Sequence, residues 1–288
     1  MNATPTSSML NVLLIADSDS QLLACEALCS APTELNVQWS ISVIPRDGTP
    51  RALLQRLAQR ASLRHQGLTQ LLRDRRLKDF DAIGVFLTGS KINDIRLAIQ
   101  RDRNPPLLFC GFNGVVLDHF IEGVSWRLGY DLICLSGPRD QNALAQLVAG
   151  TPFEQQRTIL TGLRRNATTP DLIPLHERPR RLVFAEQVIM PASAPERSRL
   201  VRLLSDLAIR SPNWEVVIKP RIAPGDATFH DVDTHISTTL QRTLGVLPSN
   251  LRLDYSPLPE LLKQARLLAT LSSTAFFDAL DFGCGVIA

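Results

Sequence analysis

Seven or more short apolar runs, each followed at once by small, polar or glycine residues and then by a helical stretch, constrain this chain more than any other feature. Leu10 to Ala16 leads into Asp17-Ser18-Asp19-Ser20, Ala82 to Leu87 into Thr88-Gly89-Ser90, Pro106 to Cys110 into Gly111-Phe112-Asn113-Gly114, and Asp131 to Leu135 into Ser136-Gly137-Pro138. Runs this short and this apolar are strands buried on both faces, and their alternation with helices specifies a parallel sheet with crossover helices. Asn36 to Ile44 adds a further strand. The pattern restarts after residues 164–180, RRNATTPDLIPLHERPR, which hold three prolines and no periodicity and read as a linker. Strands are then expected at Arg181 to Phe184, Trp214 to Lys219, Asn250 to Tyr255 and Leu267 to Leu271, with helices between them. The expected organisation is an N-terminal Rossmann-like, acceptor-side domain over 1–163, a linker over 164–180, and a C-terminal Rossmann-like donor domain over 181–288.

At 288 residues the chain suits two such domains better than one. Its net charge of +3 is too small to mark a general polyanion binder, so nucleic acid is not an expected partner. Five cysteines, an odd number partly set in apolar runs, suit buried thiols and a reducing cytoplasm. No apolar run reaches the roughly 20 residues of a membrane helix, and the N-terminus lacks the features of a signal peptide. One local charge excess stands out: residues 51–78 carry eight Lys or Arg and a single acid, Asp74. Leu54, Leu57, Ala61, Leu68 and Leu71 there have helical spacing, so a long basic helix is expected, with a solvated outer face or peripheral membrane association as its two readings.

Ligands of open α/β sheets sit beyond the carboxyl ends of the strands, where loop amides and helix N-termini converge. In the first half those positions include Asp17, Ser18, Gly89, Asn113, Gly114 and Arg139, and in the second Glu186, Gln187, Lys219, Arg221, His230, Ser272, Ser273 and Thr274. Lys219-Pro220-Arg221 places two cations at a strand end, with a proline that forces the chain out of the ladder; this suits a phosphate or carboxylate, or else a plain surface turn. Ser272-Ser273-Thr274 can cap a helix, receive an anionic oxygen, or both. His230, with His235 and Asp231 or Asp233, does not form a recognised zinc pattern, and no metal is expected. The absence of GxGxxG after a strand, of GxxxxGK[ST] and of GxSxG removes the main support for dinucleotide oxidoreductases, P-loop NTPases and α/β-hydrolases. Trp39, Trp126 and Trp214 read as core residues. Asp17, at the end of the first strand, is the best-placed general base, with capping of the first helix as its alternative role.

The stretches FAEQVIMP (184–191), VVIKPRIAPGDATFH (216–230), NLRLDYSPLPELL (250–262) and TLSSTAFFDALDFG (270–283), with FCGFNGVV (109–116) and WRLGYD (126–131), resemble a bacterial glycosyltransferase family of GT-B type, related to capsule-polysaccharide and polysialyltransferase-like enzymes. The resemblance implies two Rossmann-like domains facing a cleft, the second one apparently truncated at its C-terminus. It implies a metal-independent transfer of a sugar, including a cytidine-linked acidic sugar, from a nucleotide donor to a glycan acceptor, with no cofactor beyond the nucleotide-sugar substrate. His230 would contact the donor phosphate and share in catalysis, Ser272, Ser273 and Thr274 would bind that phosphate or a sugar carboxylate, Lys219 and Arg221 would offset leaving-group charge, and Glu186 and Gln187 would line the site. A non-catalytic nucleotide- or glycan-binding remnant and a nucleotide-sugar epimerase are the alternatives.

Overall fold

The computed structural model describes residues 9–45, 49, 51–112, 114–116, 118–162, 172–187, 190–223, 234–271 and 273–287. It divides into two compact units, Met1–Arg164 and Arg165–Ala288.

The first unit runs β1 (Leu10–Ala16), α1 (Asp19–Ser30), β2 (Val37–Val43), α2 (Arg51–Ala58), β3 (Ser62–His65), α3 (Leu68–Leu71), a 3-10 turn over Arg75–Asp79, β4 (Ala82–Val85), α4 (Ser90–Ile99), β5 (Leu107–Gly111), α5 (Phe120–Ser125), β6 (Leu132–Leu135), α6 (Pro138–Val148) and β7 (Thr158–Leu160). Its seven strands lie in the order β3-β2-β1-β4-β5-β6-β7, and every pairing is parallel. Successive residues of β1 enter opposite cores, Leu13 and Ile15 on one face and Val12, Leu14 and Ala16 on the other, which is why the run is apolar without alternation. Gly84 in β4 is fixed by packing: a Cβ there would stand 2.4 Å from the Phe109 ring.

The second unit runs β8 (Arg181–Ala185), α7 (Ala194–Arg210), β9 (Glu215–Lys219), α8 (Ile236–Leu244), β10 (Leu251–Leu253), α9 (Leu258–Gln264), β11 (Leu267–Ala269), α10 (Ala275–Asp281) and β12 (Gly285–Ile287). The order is β10-β9-β8-β11-β12, again all parallel. Leu182 and Phe184 face one core and Val183 and Ala185 the other. The longest helix, α7, starts with a capping box in which Ser193 and Glu196 satisfy each other's backbone N–H, a signal present in the sequence as Ser-x-x-Glu.

Within the stretch read as a linker, Arg178 is only 2% exposed. Its guanidinium donates to the carbonyls of Ile173, Leu262, Ala265 and Phe282, at 2.8, 3.3, 3.0 and 2.8 Å. It therefore satisfies the chain ends of α9 and α10.

One expectation fails. Residues 51–78 do not form a long basic helix: α2 stops at Ala58, and Ser62–His65 pairs with β2 as the edge strand of the sheet, Ser40 opposite Ser62 and Val43 opposite His65. The free edge of β2 overrides the helical periodicity, so the residues that suggested one stripe serve two cores, Leu54, Leu57 and Ala61 in one and Leu68 and Leu71 in the other. The cations are dispersed likewise. Arg56 pairs with Glu26 at 2.8 Å, Arg64 stacks 5.1 Å over Phe80, and Arg76 pairs with Asp74 at 3.0 Å. All five cysteines are free thiols. Among the described residues no helix is long and apolar enough to cross a membrane.

Candidate functional site

Both sheets begin in their middle and grow outwards in two directions, which leaves a topological switch point in each: between β1 and β4 in the first unit, between β8 and β11 in the second. Crossover helices leave in opposite directions there, so the carboxyl ends of those strands are open to a ligand.

In the second unit the residue after β8 is Glu186, 8% exposed. Arg197, in the first turns of α7 and itself 7% exposed, donates to its Oε1 at 2.7 Å, and the backbone N–H of Arg221 donates to its Oε2 at 3.3 Å. The Glu186 N–H donates in turn to the Lys219 carbonyl at 3.0 Å. Three sequence-predicted residues, Glu186, Lys219 and Arg221, are thereby brought together. Burial pushes the Glu186 carboxyl above its ordinary range even though Arg197 pulls it down. Burial, with Arg221 as a like charge, pulls the Lys219 ammonium below its own. A carboxylate and an amine displaced in opposite directions at one strand edge mark this edge as a candidate functional site. Lys219 Nζ donates to the Pro220 carbonyl at 2.5 Å.

Around this centre stand Asp254 and Thr270, which sequence reasoning passed over, and His235, which it weighed only in a metal pattern. The Ser237 N–H donates to His235 Nδ1 at 3.1 Å, so Nδ1 is the acceptor and Nε2 carries the hydrogen, directed to the Ile222 carbonyl at 3.0 Å. His235 caps α8 and stacks on Tyr255, ring centroids 6.3 Å apart. Both of its nitrogens are thus committed to the fold, and among the described residues no group of three could hold a metal. Asp254, after β10, is held by Arg252 and by Ser256, which, against burial, bring it down to about 2. Thr270, after β11, donates to the Ala185 carbonyl at 3.2 Å. Ser273 accepts from the Ala275 N–H at 3.2 Å, and Thr274 precedes α10 without a side-chain capping bond. No hydrogen bond links Ser273 or Thr274 to the Glu186 cluster among the described residues. His230 and Ser272 lie outside the described residues, and Gln187 is half-buried just past Glu186.

In the first unit the residue after β1 is Asp17, 3% exposed. Lys91, in the first turn of α4, donates to Oδ2 at 2.7 Å, and the Asp17 N–H donates to Gln21 Oε1 at 2.6 Å. Oδ1 is buried and has no hydrogen-bond partner among the described residues. Asp17 does not cap α1; Ser18 occupies that position, its hydroxyl 3.3 Å from Ser20 Oγ. Gly89 takes φ 62, a left-handed turn that lets α4 start directly above β4 and brings Lys91 to Asp17. Further along the edge the Gly114 carbonyl accepts from Ser136 Oγ at 3.4 Å, and Arg139 lines a cavity of about 340 Å³ with His119, Asp118 and Asp140. Asn113 is outside the described residues. Arg127, 2% exposed, supports this edge from below by donating to the carbonyls of Leu87, Gly111 and Gly123.

The sequence model of the family described as "Putative glycosyltransferase (DUF6716)" matches residues 12–288. The chain belongs to that family. This agrees with the expectation of a glycosyltransferase-type enzyme, although the relation to capsule and polysialyl enzymes is finer than the match itself. A comparison with curated proteins gives no match. Among solved structures, the chain is similar to the S. aureus MnaA-UDP co-structure, with a TM-score of 0.67 and 14% identity over 96% of this chain and 78% of that one. It is also similar to the "putative UDP-N-acetylglucosamine 2-epimerase from Listeria monocytogenes", with a TM-score of 0.65 and 12% identity over 97% and 78% of the two chains. The UDP-GlcNAc 2-epimerase from Neisseria meningitidis bound to UDP-GlcNAc gives 0.59 and 15% over 97% and 82%. At these identities the shared property is the fold, two parallel-sheet Rossmann-like units of the kind found in GT-B glycosyltransferases and epimerases.

Proposed function

We propose that this family member is a glycosyltransferase that takes a sugar from a nucleotide donor, bound at the carboxyl edge of the second unit, to a glycan acceptor at the carboxyl edge of the first. The observation that carries the reading is the cluster of Glu186, Lys219 and Arg221 at the switch point of the second sheet. In the reaction an acceptor hydroxyl oxygen bonds to the anomeric carbon, the bond from that carbon to the phosphate oxygen breaks, and the nucleotide leaves with the electron pair. The charge gathering on the phosphate is met by fixed cations, for which Lys219 and Arg221 are the proposed pair, with Ser273, Thr274, Ser272 and His230 as further phosphate ligands by resemblance. Burial and the neighbouring Arg221 make the charged form of Lys219 costlier than in water, and an arriving phosphate would offset that cost. Glu186 and Gln187 are proposed to line the sugar. On the acceptor side Asp17 is the proposed base.

The fold neighbours named with UDP or UDP-GlcNAc make a uridine-linked sugar the first donor to try and a cytidine-linked one the second. A ligand held at 100 times its Kd stabilises by about 2.7 kcal/mol, so UDP, CDP and CMP can be ranked by melting temperature. No rise with any of them at millimolar concentration would overturn the reading. An epimerase shares this fold; it would convert UDP-GlcNAc without acceptor and without net release of UDP, whereas transfer releases UDP only when acceptor is present.

A further inference from the structure

A second polar cavity, of about 530 Å³, opens beside the carboxyl end of the edge strand β3 and is lined by Gln66, Thr69, Gln70, Arg73, Asp74 and Arg76. It lies four strands from β5 in the sheet order, roughly 19 Å at about 4.8 Å per strand, so it is separate from the cavity that Arg139 lines. Its floor is a relay of hydrogen bonds. Ser42, fully buried, donates to Gln66 Oε1 at 3.4 Å, and Gln66, 7% exposed, donates from Nε2 to Asp74 Oδ2 at 3.1 Å. Arg76 closes on the same carboxylate from the other side, with Nε to Oδ1 and Nη2 to Oδ2 both at 3.0 Å and its backbone N–H to Oδ1 at 3.0 Å.

The only acid of this cavity is therefore consumed. Both oxygens of Asp74 are engaged by two donors each, and the Arg76 fork, with Gln66, holds its carboxyl down to about 2. What remains for a guest is almost all donors: the rest of the Arg76 guanidinium, the exposed Arg73 guanidinium, the Thr69 hydroxyl and the Gln70 amide. Among the described residues no acid pairs with Arg73. A cavity with one net positive charge, several N–H and O–H donors and a saturated carboxylate favours a tetrahedral anion over a neutral sugar ring, which would need free acceptors as well.

We propose that this cavity binds a phosphate ester group, with Arg73 as its principal ligand and the Ser42–Gln66–Asp74–Arg76 relay holding Arg76 in place. Two sources carry that group, a soluble sugar phosphate and the headgroup of an anionic lipid, and both present it to the same donors. The site needs neither the nucleotide nor the transfer chemistry.

The test uses the isotope-labelled full-length protein. Inorganic phosphate and glucose 1-phosphate are titrated while the backbone signals of Gln66, Thr69, Gln70 and Arg73 are followed, and phosphatidylcholine vesicles with and without phosphatidylglycerol are co-sedimented with the same protein. Saturable shifts at those residues with glucose 1-phosphate identify the soluble source. Sedimentation only with phosphatidylglycerol identifies the lipid. In either case Arg73→Ala should weaken binding about tenfold, since a charge-assisted hydrogen bond is lost, while Arg75→Ala, outside the cavity, should not. Binding by neither probe, equal losses in R73A and R75A, or shifts centred on Arg139 instead would overturn the proposal. The UDP-induced melting shift, measured on R73A in parallel, should stay at the wild-type value, so a failure of the nucleotide reading is seen separately.

Discussion

Asp17 and Glu186 occupy the same topological place, the first residue after the strand that starts each sheet, and each meets a cation delivered by the following or the neighbouring helix. The two pairs differ in what surrounds them. Lys91 has a side chain 44% exposed and reaches down to Asp17 from the rim, whereas the side chain of Arg197 is 9% exposed and is sealed against Glu186. A pair with one foot in water can part and re-form as a proton or hydroxyl arrives. A sealed pair cannot, and serves instead to hold a backbone: the same Glu186 that Arg197 fixes also anchors the Arg221 N–H beside Lys219.

That contrast can be broken by substitution, beginning with the largest effect. Arg197→Met leaves Glu186 buried without its cation and should cost about 3 kcal/mol in urea unfolding. A cycle adding Glu186→Gln to Arg197→Met should recover part of that loss, because both charges then disappear together. Lys91→Met should cost less, about 1 to 2 kcal/mol, since water can reach the vacated rim; a loss as large as that of R197M would show the two pairs to be equally sealed. The pH dependence sharpens the comparison. The folded carboxyl of Glu186 titrates above the usual 4.5, so its contribution to stability is complete below 4.5 and is lost as pH rises through the folded value. The stability of wild type relative to Glu186→Gln should accordingly fall as pH rises above 4.5, measured by urea midpoints across the acid range. Smallest on stability is Lys219→Ala, expected within about 0.5 kcal/mol of wild type, because a half-buried ammonium next to Arg221 gains little from the fold. Its melting response to UDP should nevertheless vanish; an intact response would remove Lys219 from the phosphate site.

Much of this architecture was legible in the residues. Buried parallel strands such as Leu10–Ala16 and Glu215–Lys219 announce themselves because both faces need apolar side chains, and the residues that follow them then locate the ligand edge without any knowledge of contacts. Lys219, Arg221, Glu186 and Asp17 were reachable by that route. Arg197 and Lys91 were not, since what makes each one matter is a partner 11 or 74 residues away, and only the strand order brings the second pair together. His235 was weighed only as a companion of His230 in a metal pattern, not as a cap whose nitrogens are both spoken for. The segment 51–78 misled for a related reason: its leucines keep helical spacing, yet pairing of Ser62–His65 with the open edge of β2 overrides that local periodicity.

Arg178 ties the first residues of its unit to the carbonyl of Phe282, 104 positions later, and β8 acquires its neighbour β11 only from residues 267–269. During synthesis, then, a ribosome that has released the whole first sheet and even β9 still holds back the groups that this buried guanidinium requires. The first unit can mature while translation continues, whereas the second must wait, its arginine solvated, until Phe282 has emerged from the exit tunnel.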